Sequence, residues 1–412
     1  MADIDVLRVQ LYGETIGTIT RLPGDRNLFA FEQSYIDDPE RPTLSLSFKS
    51  AFGELVTNVP PVQTRLPPFF SNLMPEGSMR DLLAERAHVN PVREFFLAWV
   101  LGQDLPGALK LVPTNGEVVP SDDGTEVAVH DGSEGDEVPA LRFSLAGVQL
   151  KFSAVQEASG GLTIPVDGTG GHWIVKLPSA RFKHVPENEF AMMELAHRIG
   201  IEVPETGIVN IQDIAGLPKG MNTIGNTAFV TKRFDRTDNG DVVHMEDFAQ
   251  VFNVFPEQKY KNASYGNIAK ILWIETGERG VAEFIRRFIF NALIGNADMH
   301  LKNWSLLYPD RHAAVLSPAY DFVSTIAYLP DDKMALTFAG SKLFESLTLE
   351  QMKRFSAKTG LPEKLTLDIT TQTVAAFREV WKASGDLPVD DFVRERIDAH
   401  LGRIPIWKIT AA

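Results

Sequence analysis

Three residues in the last third of the chain could together carry out phosphoryl transfer. In NALIGNADMHLKNWSLLY, Asp298 and Asn303 stand five positions apart in a polar turn between an apolar helical run and an apolar strand. Asp321 follows 18 residues later in LSPAYDFVS, at the end of a second extended piece and directly before Phe322. Phosphoryl transfer needs one carboxylate to orient or deprotonate the attacking hydroxyl, and an amide and a second carboxylate to hold Mg2+ against nucleotide phosphates. Mg2+ takes hard oxygen ligands and keeps several waters, so one Asn and one Asp suffice. Asp-x4-Asn alone arises by chance about once in a chain of this length, since both residues favour turns. The helix–loop–strand–loop setting and the Asp-Phe pair beyond it are what give the spacing weight.

Such a site also needs a cation on a strand of the opposite lobe. Lys176 ends the apolar strand HWIVK before Pro178, where a snorkelling surface lysine is the simpler alternative. The next helix carries Glu187, Glu189 and Glu194; Glu189 shares the periodicity of Phe190, Met193 and Ala196 and is the expected partner of Lys176. Upstream, FSLAGVQLKFS contains a small-residue turn, Ala146–Gly147, flanked by Ser144 and Lys151. Backbone N–H groups in such a turn could approach phosphates, although the segment falls far short of GxGxxG or a Walker A sequence. His300 lies within the polar turn. The nine histidines show no HExxH spacing, so His300 is expected to fix the loop or touch phosphate rather than bind metal.

Positioning these groups takes two kinds of structure. Residues 1–113 open with short alternating segments, Val6–Tyr12 and Thr43–Phe48, followed by helical patterns at Gly77–His88 and Pro91–Leu101. Strand-like pieces follow at Val148–Val155, Leu162–Val166 and His172–Leu177, then a helix over Glu187–Ile199 ended by Gly200, and strands at Ile208–Gln212 and Ala228–Arg233. From His244 the patterns are mainly helical: Met245–Asn253, Tyr265–Glu275, Ala282–Ile294, Leu349–Lys358, Thr371–Lys382 and Asp390–Leu401, with Trp304–Tyr308 and Ala314–Leu316 as a hairpin. A β-rich half followed by an α-rich half predicts an α+β protein of two lobes with its ligand in the cleft between them. The expected organisation is an N-terminal subdomain (1–113), an acidic linker (114–140), the rest of the β-rich N-lobe (141–235) and an α-helical C-lobe (236–412).

Composition limits the rest. The 412 residues include no Cys, which removes thiolate–metal sites, disulfides and thiol nucleophiles, and points to a reducing, cytoplasmic setting. No apolar run approaches the ~20 residues of a membrane span. Forty basic against 54 acidic residues give a net charge of −14, and eight of the acidic residues, with no Lys or Arg, lie between Asn115 and Ala140. An acidic chain is poorly suited to binding nucleic acid on its own, so contact with DNA would need a basic partner.

The segments SLAGVQLK, HWIVKLP, ENEFAMMELAHRIGI, KRFDR, NADMHLKN and SPAYDFVS together resemble the HipA family of serine/threonine kinase toxins, and RPTLSLSF, PPFFSNLMPEG and DLPGAL resemble that family's N-terminal region. The likeness runs from about residue 6 to 400 and implies a bilobal kinase-like fold with ATP and Mg2+ as cofactors. It implies Asp298 as catalytic base, Asn303 and Asp321 as Mg2+ ligands, and Lys176 on the ATP phosphates. Ala146, Gly147, Val148, Gln149 and Lys151 would cover the phosphates, while His300 and Lys302 would line the nucleotide site. Lys232, Arg233 and Phe234 would join the lobes beside the adenine, and Ser144 would be an autophosphorylated serine whose modification shuts the enzyme off. Lys232 stands where family members often have Glu, which puts a side-chain contact to adenine or ribose in doubt. The resemblance further implies phosphorylation of a translation protein such as glutamyl-tRNA synthetase, and a HipB-like helix-turn-helix antitoxin through which operator DNA is reached. The competing readings are a related kinase with another, non-toxic substrate, and an attenuated kinase fold serving as a co-repressor scaffold.

Overall fold

In the computed structural model, residues 5–114, 150–157, 161–165, 170–217, 220–223 and 225–409 are described. The acidic segment, Ser144 and Ala146 to Gln149 lie outside them.

Alternating apolar residues in the first 113 positions build an antiparallel five-stranded sheet. Its order is Val62–Gln63, Arg26–Phe31, Glu14–Leu22, Val6–Leu11, Leu109–Pro113. Leu7, Val9 and Leu11 point inward at alternate positions and are fully buried. The Gly77–Arg86 and Glu94–Leu101 helices belong to the same region, and all eight residues of the second are buried. This helix starts at Glu94 rather than Pro91. Leu46–Phe48 is a single 3-10 turn capped by Ser45, where the alternation predicts a strand from Thr43.

A six-stranded sheet follows, ordered Ile214–Ala215, Leu162–Thr163, Lys151–Gln156, Trp173–Lys176, Thr227–Lys232, Thr206–Asn210. Its apolar residues Phe152, Ala154, Val175, Ala228 and Val230 join the core of the first sheet. The Val185–Arg198 helix instead buries Ala191, Met192, Leu195 and Ala196 in the core of the helical lobe.

The helical lobe is built on Tyr265–Ile294, Leu349–Thr359, Glu363–Ala383 and Asp391–Arg403. The first is broken at Gly277, whose φ of 64° and ψ of −155° suit only glycine, so the chain bends between the two helical runs that the periodicity separates. Glu363–Ala383 begins eight residues before the expected Thr371. Thr366, Thr370 and Thr373 lie on its buried face, and the hydroxyls of these three and of Thr371 are satisfied by carbonyls four residues back. Met245–Asn253, expected as one helix, is a strand (His244–Asp247) and then a single turn (Phe248–Val251). The strand pairs with Ser305–Tyr308, and Asp247 ends it by capping the turn: its Oδ1 accepts from Gln250 N at 2.9 Å, while Gln250 Oε1 accepts from Asp247 N at 2.8 Å.

Polar bridges tie the N-terminal region to the rest. Arg233 donates to Asp104 and Asp235, and Arg236 to the same two carboxylates, in a largely buried cluster of two cations and two anions. Glu246, fully buried, accepts from Ser45 Oγ at 2.5 Å, Leu46 N at 2.9 Å and the Tyr308 hydroxyl.

Those three partners are neutral, so burial pushes the Glu246 carboxyl up to about 7. The folded state then holds a proton that the unfolded chain releases from about pH 4.5, so this group's contribution to stability falls as pH rises through that window to about 7. His244, held down at about 4 by burial, acts in the opposite sense below its ordinary value. Comparison with Glu246→Gln isolates the carboxylate. The variant's melting temperature should gain on the wild type's between about pH 5 and about pH 8; a pH-independent difference would count against a buried proton.

Candidate active site

The active-site candidates converge on a cleft of about 1060 Å³ between the six-stranded sheet and the helical lobe. Lys176, 6 % exposed at the end of its strand, reaches from the sheet. Its Nζ donates to Glu189 Oε1 at 2.5 Å and also to Asp321 Oδ1, and lies 5.5 Å from the Phe229 ring centre. Of the three helix glutamates, Glu189 is therefore the one on Lys176; Glu187 accepts from Thr227, and Glu194 from Arg198. Lys151 sits directly opposite Lys176 in the sheet register, which brings a second cation to the same place.

This concentration of charge sets the local acidities. Burial raises the Asp321 carboxyl, but Lys176 and Lys151 outweigh it and hold it at about 2. Glu189, buried and left to share one ammonium with Asp321, is pushed upward. Lys151 is driven down to about 8 by burial, against the pull of Asp321. Asp321 also holds a left-handed backbone, φ 57°, at a cost of about 1–3 kcal/mol that a short polar residue tolerates best.

The loop after the long helix begins at Gly295, whose φ of 66° ends the helix. Asn296 then ties the two acidic positions together: its Oδ1 accepts from Asp298 N at 3.0 Å, and its Nδ2 donates to the Asp321 carbonyl at 3.2 Å. Asn303 Nδ2 donates to the Asp298 carbonyl at 2.9 Å, which leaves Oδ1 for a cation. Asp298 Oδ1 accepts from the Tyr260 hydroxyl at 2.5 Å, and burial holds its carboxyl above the ordinary value. His300 is buried with its ring edge-on to Tyr260, its Nδ1 has no partner among the described residues, and burial keeps it neutral.

Lys232, Arg233 and Phe234 line the same cleft. Lys232 Nζ is taken up by Asp238 at 2.6 Å, and the Arg233 guanidinium is committed to Asp104 and Asp235. Phe234 packs 5.5 Å from Tyr320. Lys302 donates to Glu76 Oε1 at 2.6 Å and to the Asn72 carbonyl at 3.0 Å. Glu76, Asn72, Lys259, Tyr260 and Asn296 all belong to this constellation and were not among the sequence candidates. PPFFSNLMPEG is a motif of the N-terminal region, but nothing in its spacing links it to a loop more than two hundred residues away.

The residues suit Mg2+ and a nucleotide. Asn303 and Asp321 offer hard oxygens, Lys151, Lys176 and Lys302 offer cations for phosphates, and Thr231 Oγ1, buried on the cleft wall, has no partner among the described residues. Among the described residues no three His, Cys, Asp or Glu side chains form a metal cluster, so a cation here would rest on these two residues, phosphate oxygens and water.

A two-lobed α+β fold with a strand lysine, helix glutamate and loop carboxylates around its cleft is that of a kinase. Residues 7–112 match the family model described as HipA N-terminal domain, and residues 143–381 that of HipA-like C-terminal domain. The chain belongs to the HipA family of kinases. It is 50 % identical over 412 residues to the Sinorhizobium fredii protein named "Putative kinase Y4dM", covering 99 % of each chain. It is 27 % identical over 338 residues to the serine/threonine-protein kinase toxin HipA of Shewanella oneidensis, 74 % of this chain and 73 % of that one. In fold it matches a chain of the solved Shewanella oneidensis complex of HipA, HipB and operator DNA, with a TM-score of 0.70 and 21 % identity over 96 % of each chain.

Lys176→Met should leave the buried Glu189 and the half-buried Asp321 without their shared cation and cost about 3–5 kcal/mol of stability in urea unfolding. The cost should shrink as pH falls and Glu189 takes up a proton, and Lys176→Met/Glu189→Gln should recover part of it. A single variant as stable as the wild type would show that the ammonium is not needed to balance the site.

Proposed function

We propose that this protein is a Mg2+–ATP-dependent serine/threonine protein kinase that acts as the growth-inhibiting toxin of a toxin–antitoxin pair. The observation that carries this reading is the closure of Lys176, Glu189 and Asp321 from three separate elements beside the Asp298 loop. Asp298 would accept the proton of the acceptor hydroxyl, in the place where the Tyr260 hydroxyl now donates to it. Lys151, Lys176 and Lys302 would bind phosphates, and Asn303 and Asp321 would hold the metal. Mg2+, when bound, neutralises phosphate charge. The Shewanella oneidensis relative is named a serine/threonine-protein kinase toxin, and the solved structure pairs HipA with HipB and operator DNA. By that likeness the partner here is a HipB-like helix-turn-helix antitoxin, which would also supply the DNA contact that a chain of net charge −14 is poorly suited to make. The substrate would be a translation protein such as glutamyl-tRNA synthetase, and Ser144 the site of inhibitory autophosphorylation. Among the described residues no helix is long and apolar enough to cross a membrane, and a cytoplasmic location fits this reading.

Asp298→Asn should lower phosphoryl transfer about 10²–10⁴-fold while keeping the wild-type melting temperature and Mg2+–ATP affinity. Asp321→Asn should lose the Mg2+-dependent part of nucleotide binding, read by calorimetry. Intact mass after incubation with Mg2+–ATP should show one added phosphate, mapped to Ser144 and missing in Asp298→Asn. Full activity in both variants would refute the site. A wild-type protein that binds Mg2+–ATP but transfers no phosphate would favour the scaffold reading.

A further inference from the structure

Glu76 comes from the N-terminal region yet lies in the catalytic cleft. It stands at the N-cap of the Gly77–Arg86 helix, but its carboxylate makes no capping bond there. Instead, Oε1 accepts from Lys302 Nζ at 2.6 Å and Oε2 from Lys259 Nζ at 2.9 Å. Both lysines are buried, and Glu76 itself is nearly so. The adjoining Asn72 carbonyl takes a second hydrogen bond from Lys302.

The two lysines hold the two sides of the Asp298 loop. Lys302 immediately precedes Asn303, and its carbonyl accepts from the Tyr320 hydroxyl at 2.9 Å, next to Asp321. Lys259 immediately precedes Tyr260, the donor to Asp298, and its carbonyl accepts from Leu301 N at 3.2 Å. Without a carboxylate between them, two buried ammonium groups would repel one another and leave these positions. We propose that Glu76 is a positioning residue for phosphoryl transfer, holding Lys302 and Lys259 against the catalytic loop, so that the N-terminal region supplies part of the active site. The inference rests on the kinase reading above. It separates two effects: Glu76 fixes geometry, and it also neutralises a cation that faces the phosphates.

Glu76→Gln should therefore lower kcat about tenfold or more through misplacement of the loop. It should also lower the KM for ATP and the calorimetric Mg2+–ATP dissociation constant several-fold, because Lys302, no longer neutralised by Glu76, turns to the phosphates. Because Glu76 acts through both lysines, adding Glu76→Gln to the Lys259→Met/Lys302→Met pair should change kcat no further than the pair alone. Glu257→Gln, which breaks the exposed Arg65–Glu257 bridge between the same two regions, should leave kcat and ATP affinity at wild-type values. Unchanged kcat and affinity in Glu76→Gln would overturn the proposal. So would a parallel loss of activity, affinity and melting temperature, or a further loss in the triple variant. Should Glu76→Gln fail to fold, the triple variant, which leaves neither lysine unpaired, decides against Lys259→Met/Lys302→Met. The affinity arm is read without turnover. A wild type that binds Mg2+–ATP but transfers no phosphate would refute the kinase reading and still decide the Glu76 charge effect, whereas one that binds none would refute both.

Discussion

One ammonium group, that of Lys176, is held between carboxylates contributed by a helix and by a loop of the opposite lobe. Charges taken out of water interact strongly and are expensive to leave unpaired. The strand, the Val185–Arg198 helix and the segment carrying Asp321 are therefore fixed relative to one another by electrostatics as well as by packing. The packing agrees with this: the strand belongs to one apolar core and the helix to the other, so the ion cluster spans the seam between them. Lys151, opposite Lys176 in the register, keeps the sheet side of the cleft cationic although the chain as a whole is acidic.

The N-terminal region is not an appendage to this arrangement. Its sheet and the six-stranded sheet share a core, and its polar groups reach the other elements at three places. Ser45 and Leu46 meet Glu246 beneath the hairpin, Asp104 meets Arg233 where the chain passes between lobes, and Glu76 meets Lys259 and Lys302 at the cleft. Each contact puts a buried ionisable group on one side of the boundary, and parting the boundary would strip that group of its partners.

Much of the site was legible in the sequence because its parts are local. Asp298 and Asn303 share one loop, Asp321 ends a neighbouring segment, and Lys176 and Glu189 lie on successive elements whose periodicity faces them together. The residues that were not legible come from far away. Glu76 and Asn72 meet the loop across more than two hundred positions, and Tyr260 reaches Asp298 from a stretch with no regular pattern. The same distinction explains the misread elements. Met245 to Asp247 became a strand because Ser305–Tyr308 offers a pairing edge, a fact that no window around Met245 contains. The early start of the Glu363–Ala383 helix rests on an inward face made of threonines, Thr366, Thr370 and Thr373, whose hydroxyls bond back to the backbone, and an apolar periodicity does not register such a face.

The buried quartet of Asp104, Arg233, Asp235 and Arg236 has a consequence for inheritance. Its formal charges cancel, and its members lie on both sides of the boundary between the regions matched to the N-terminal and C-terminal family models. A substitution that removes the charge of any one leaves a net charge in a dry interior, at a cost of about 3–5 kcal/mol. An exchange of N-terminal regions between two members of the family would carry Asp104 away from its arginines. Such a hybrid would hold Arg233 and Arg236 with Asp235 alone unless the incoming region placed a carboxylate where Asp104 stands.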